Sequence, residues 1–145
     1  MGSLAPQGGG SGSGSVTIGD VFDENITVTD TYLNVLEIDS TNISDSVITL
    51  YNDDPTNSFV YKIYASAKVQ SIIPDDSDDS WVNILIDLDV DDTIPANYNH
   101  DREKEIPAKL RTYESFSNKW NWVRVQMKTA SGTVPAKVWH RGTTT

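Results

Sequence analysis

Three aspartates stand at alternate positions in Ile84-Leu85-Ile86-Asp87-Leu88-Asp89-Val90-Asp91, just downstream of the acidic run Pro74-Asp75-Asp76-Ser77-Asp78-Asp79-Ser80. Side chains alternate across a β-strand, so Asp87, Asp89 and Asp91 would share one face, successive members about 6.5–7 Å apart, with Ile84, Ile86, Leu88 and Val90 on the other. Such a row suits two kinds of chemistry. It can hold calcium, a hard cation that collects several oxygen ligands, with Asp75, Asp76, Asp78, Asp79 and Asp92 as further donors. It can also supply the acid and the base of a glycoside hydrolase. The loop lacks the ligand order, glycine and terminal glutamate of an EF-hand, and no one pair of carboxylates is singled out for hydrolysis. The plainer expectation is a solvated row answered by Lys or Arg on a neighbouring strand, which also discourages edge-to-edge pairing. Calcium at Asp87, Asp89 and Asp91 is the secondary expectation, and otherwise no cofactor is expected.

Other catalytic equipment is sparse. The two histidines, His100 and His140, fall in a charged segment and near the C-terminus, and there is no Gly-x-Ser-x-Gly, His-Glu-x-x-His or phosphate-cradling glycine loop. A non-enzymatic protein is the expectation.

The tryptophans form a more distinctive pattern. In Trp120-Asn121-Trp122-Val123-Arg124-Val125-Gln126-Met127-Lys128, the parity of Val123, Val125 and Met127 marks a core face and leaves Trp120, Trp122 and Arg124 opposite. Trp and Arg dominate interface energetics, so an open row of this kind would stack on sugar rings or anchor a protein partner. The competing expectation is cover, by the 93–109 segment or by a second sheet, because large bare apolar patches are rare. The run Lys119-Trp120-Asn121-Trp122-Val123-Arg124-Val125, followed after a turn by Ala136-Lys137-Val138-Trp139-His140-Arg141-Gly142, resembles the tryptophan–arginine strand and the strand after it in concanavalin-like, laminin-G-like jelly rolls of bacteriophage virion proteins. That resemblance implies a β-sandwich used in heads, tails or fibres, sometimes to bind carbohydrate. Trp120, Trp122, Arg124 and Trp139 are the matching positions.

The elements that must position these residues are all strands. Alternation of β-branched and aromatic residues predicts strands at 26–29, 32–38, 47–51, 59–69, 81–91 and 110–116, and a closing hairpin of 120–128 and 133–140. Gly132 is placed to supply the positive φ of the hairpin loop. Asn52-Asp53-Asp54-Pro55-Thr56-Asn57 is the clearest loop, since Asp54 precedes a proline. The 93–109 segment has room for one helical turn between Pro95 and Pro107. Met1 to Ser15 is Gly/Ser-rich and reads either as a linker or, preferably, as an arm ordered by a neighbouring subunit.

Composition narrows the partners. The chain has 145 residues, 11 basic against 21 acidic, for a net charge of −10. A surface that displaces phosphate counterions is therefore not expected, and nucleic acid is set aside. No stretch approaches the ~20 apolar residues of a membrane span, and no basic, then apolar, leader suggests Sec export. Without cysteine the fold must rest on packing. The sequons at Asn25 and Asn42 are read as chance.

Together these readings predict an all-β protein: a single antiparallel, jelly-roll-like β-sandwich over 16–145 with a flexible arm over 1–15. The expected role is a structural component of a phage or virus-like particle, a capsid-decorating or tail- or fibre-attached subunit. It would be assembled in the host cytoplasm and reside in the virion, as a homo-oligomer or against other virion proteins. The alternative is a lectin-like module that binds a glycan, with calcium at the aspartate cluster as its optional aid.

Overall fold

The computed structural model describes residues 16–85, 102–117 and 119–144, with side chains described from residue 23 to residue 143 within those ranges. The predicted arm, the Asp87, Asp89 and Asp91 row, Asp92 and His100 lie outside the described residues. Nine strands are present among them: β1 (Val16–Val28), β2 (Leu33–Asp39), β3 (Asp45–Asn52), β4 (Phe59–Ser66), β5 (Trp81–Asn83), β6 (Lys104–Ile106), β7 (Arg111–Ser117), β8 (Trp122–Lys128) and β9 (Val134–Thr144).

They form two antiparallel sheets, ordered β1-β9-β3-β7 and β2-β8-β4-β5. The short β6 shares the outer edge of β4 with β5: β5 lies opposite Tyr64–Ser66 and β6 opposite Phe59–Tyr61. With β5 and β6 taken as one strand position, the first strand pairs with the last, the second with the next to last, and so inward to β4. Apart from β4 and the β5/β6 position, which pair with each other at the turn of the roll, successive strands alternate between sheets, as when a long hairpin is rolled up. This is a jelly roll.

Alternation explains which face each strand buries. Along β3, Ser46, Ile48, Leu50 and Asn52 turn inward and the intervening residues outward. Phe59, Tyr61, Ile63 and Ala65 of β4 and Val123, Val125 and Met127 of β8 meet Ile48, Leu50, Val134 and Val138 of the opposite sheet in one apolar cluster. Each large member contributes roughly 1.5–3 kcal/mol by leaving water. Polar contacts also tie the sheets together: the buried Asn52 side chain of β3 donates to the Ile106 carbonyl of β6 at 2.9 Å. The buried Tyr61 hydroxyl donates to Glu114 of β7 at 2.5 Å, and Lys104 of β6 pairs with the same carboxylate at 2.9 Å. Burial, and then the Glu114 bond, push the Tyr61 pKa upward, so it stays a donor.

The Asn52–Asn57 loop forms as its residues predict. Asp54 accepts from the backbone N–H groups of Thr56 and Asn57, both at 2.8 Å, and these bonds hold its carboxyl below the usual range.

Four expectations change. The alternation of 59–69 continues to Val69, but β4 ends at Ser66 and Val69 is 89% exposed. The ladder stops because the Ser66 carbonyl accepts from Asn121 N–H at 2.9 Å and its hydroxyl accepts from Lys68 N–H at 3.1 Å. The predicted strand at 81–91 is a strand only over Trp81–Asn83 among the described residues. There Asn83 accepts from Leu85 N–H and donates to the Arg102 carbonyl, which bends the chain out of the ladder. Where a helical turn was predicted before Pro107, Lys104–Ile106 instead takes up the free edge of β4. Finally, β8 and β9 are not a hairpin. Gly132 has the expected positive φ of 70°, yet β8 lies between β2 and β4, and β9 between β1 and β3. The connection crosses from sheet to sheet, and β8 pairs with β2 and β4 while β9 pairs with β1 and β3.

Candidate functional site

The two outer faces of the sandwich differ, and the sequence-predicted residues divide between them. On the β2-β8-β4-β5 sheet, Trp122 and Arg124 of β8 lie on the outer face beside Ser66 and Tyr64 of β4, which in turn lie beside Trp81 and Asn83 of β5. That face is covered. The 67–80 loop folds back over it, so Arg124 is 4% exposed and Trp122 8%. The Arg124 guanidinium lies 4.2 Å from the centroid of Trp81 and 5.2 Å from that of Tyr64. It donates to Asp76 Oδ1 at 2.5 Å, and Asn34 donates to the same oxygen at 3.0 Å. Trp81 Nε1 donates to the Asp75 carbonyl at 2.9 Å, Ser66 and Ser80 share a hydroxyl contact at 2.6 Å, and Lys68 pairs with Asp78 at 2.5 Å. A guanidinium held between rings is strongly stabilised where water is excluded, so the acidic loop is bound by the row it covers. Asp78, hydrogen-bonded first by Lys68 and then by Ser80, has its carboxyl lowered to about 2.

The outer face of the β1-β9-β3-β7 sheet has no such roof among the described residues. Strand register places Lys137, Tyr51 and Arg111 in one row across β9, β3 and β7, and Trp139, Thr49 and Tyr113 in the next. Arg141, Val47 and Ser115 form the third. Tyr113 is 66% and Val47 42% exposed. Arg111 lies 4.7 Å above the Tyr51 ring, and Trp139 Nε1 donates to Glu24 at 3.2 Å. Three cations and three aromatics thus share one open face of a chain with a net charge of −10.

No family model and no curated protein matches this chain. Its surfaces must therefore be read on their own chemistry.

Of the four residues singled out in the sequence, Trp122 and Arg124 come together beneath the loop, and Trp120 is half-buried against the core. Trp139 stands on the opposite side of the sandwich. Cover over the Trp122 and Arg124 row is present, and among the described residues the acidic loop before β5 supplies it; residues 93–101 of the segment expected to do so lie outside the described residues. No group of three or more possible metal ligands converges among the described residues; within the acidic loop, Asp76 is engaged by Arg124 and Asn34, and Asp78 by Lys68. His140 faces the interior, with Nε2 3.0 Å from the Ser46 hydroxyl.

Sequence reading missed the open face, namely Tyr113, Tyr51, Val47, Arg111, Lys137 and Arg141. Its signal was available in parity, since Lys137, Trp139 and Arg141 alternate with the buried Val138 and His140. What parity lacked was the strand order that sets Arg111 and Tyr113 beside them.

Proposed function

We propose that this chain is a non-enzymatic assembly subunit of a particle such as a phage virion, docking through the open face of the β1-β9-β3-β7 sheet. One observation carries the reading: the protein roofs one sheet with its own loop, while nothing among the described residues covers the other, where Tyr113 and Val47 are exposed between Arg111 and Arg141. Aromatic and Arg side chains in that setting are the composition of an interface centre. Jelly rolls serve in viral shells and in lectins, an analogy of fold that leaves the choice to the site.

The second reading, a glycan-binding module, draws on the Trp139–Thr49–Tyr113 row, where two rings flank a hydroxyl at a spacing of roughly 10 Å by strand separation. A glycan array on the native chain and on Tyr113→Ala separates the two. Silence on the array, with mass by light scattering that rises with concentration and falls in Tyr113→Ala, supports the assembly subunit. Reproducible glycan binding that Tyr113→Ala abolishes, with no change in mass, overturns it.

A further inference from the structure

The open face has a counterpart on the same molecule. The 67–80 loop, on the far side of the sandwich, exposes Val69 and Ile72 and, further along the same loop, Asp75 and Asp79. The open face carries Arg111, Lys137 and Arg141 against Glu24 beside Trp139, whereas the loop carries Asp75, Asp76, Asp78 and Asp79 against Lys68, so the first is cationic on balance and the second anionic. Of the six large hydrophobic residues exposed among the described residues, Val47 and Tyr113 lie on the open face, Leu110 borders it, and Val69 and Ile72 lie on the loop. An acidic chain that gathers Arg111, Lys137 and Arg141 on one face while concentrating carboxylates on the opposite side is polarised across its thickness. Two copies placed face to face would oppose like charges at either surface, whereas stacking in one direction sets opposite charges together.

We infer that the open face of the β1-β9-β3-β7 sheet binds the acidic 67–80 loop of a second copy of this chain. The contact is heterologous: each subunit offers a face to one neighbour and a loop to another, so it builds a ring if the rotation closes and a filament if it does not. Val69 and Ile72 of the loop pack on Val47 and Tyr113, and Asp75 and Asp79 pair with Arg111 and Lys137. Asp76 and Asp78 stay with Arg124 and Lys68, keeping the loop in shape to dock. The inference rests on the docking reading above and adds the partner.

Two charge-reversed forms of the full chain test it by light scattering on a size-exclusion column, with circular dichroism to confirm that each folds. The face form carries Arg111→Glu and Lys137→Glu, and the loop form carries Asp75→Lys and Asp79→Lys. All four side chains are outside the core, and neither form touches the roof pairs. The native chain is expected to associate more weakly as salt rises, and each form alone to bind itself at least about tenfold more weakly. Mixed in equal amounts, the two forms meet through native face on native loop and, at the doubly altered contact, through a glutamate-bearing face on a lysine-bearing loop, so opposite charges oppose at both contacts and association is expected to return, with the two forms alternating. If the loop form associates like the native chain while the face form does not, the loop is not the partner and the docking face stands. If both associate like the native chain, the inference and the docking reading fall together. A native chain that is monomeric at every concentration overturns the inference alone.

Discussion

The two outer faces share a strand geometry and even an interaction type, an Arg over an aromatic ring, yet one is interior and the other surface. On β8 the outward row is Trp122, Arg124 and Gln126, flanked by Tyr64 and Trp81, and a segment of the chain has been drawn over it. On β3 the outward row is Val47, Thr49 and Tyr51, and nothing among the described residues covers it. Alternation decides which residues leave the core. Whether they reach water depends on what the connecting loop finds there, and a loop rich in aspartate finds a guanidinium with two rings to hold it.

The largest expected effect comes from truncating one aromatic residue on each face. Trp122→Ala removes a side chain enclosed between β8 and the loop and should cost about 3–5 kcal/mol in urea unfolding. Tyr113→Ala should change stability by no more than about 0.5 kcal/mol, because its ring is already in solvent. Equal losses in the two variants would mean that the second face is covered as well, which would remove the basis for docking there.

Next is the cation–π contact at its two levels of burial. Arg124→Lys keeps the charge but loses the planar fork that lies between Trp81 and Tyr64 and reaches Asp76, and should cost about 1–3 kcal/mol. Arg111→Lys, over the half-exposed Tyr51, should cost under about 1 kcal/mol. Thermal unfolding of the pair measures the difference, and a ratio near one would show that burial of Arg124 adds nothing to its ring contacts.

Much of the fold was legible because period-2 alternation is a local property: the edges of β3, β7 and β8 fall within two residues of where their residue types place them. Strand partners are not local. The 120–140 segment has the alternation and the glycine of a hairpin, and only competition from β2, β4, β1 and β3 for the same edges sends its halves to different sheets. The candidate site suffered from the same gap. Trp122 and Trp139 look alike in sequence, each next to a Val and two positions from a basic residue, yet one is roofed and the other is on the open sheet. The overrun of β4 past Ser66 is a smaller case: Ala67 and Val69 keep the rhythm, but backbone bonds to Asn121 and Ser66 have already ended the ladder.

The smallest expected effect is acid release of the roof. Asp78 titrates at about 2 in the folded chain, below its ordinary 3.8, because Lys68 and then Ser80 hydrogen-bond its carboxylate. A lowered folded value means that the stabilisation is complete above the ordinary value and disappears as pH falls through about 2. Both groups are near solvent, so the effect is confined to the loop and is weakened by salt. Between pH 4 and 2, hydrogen exchange at residues 75–80 should rise and Trp81 emission should shift as its bond to the Asp75 carbonyl loosens, while amides of β3 and β9 stay protected. Asp78→Asn should show the faster loop exchange already at neutral pH and lose the acid step. An acid step of the same size in Asp78→Asn would trace the release to other carboxylates, and exchange rising equally in β3 and β9 would mean that the roofed face and the open sheet come apart as one unit.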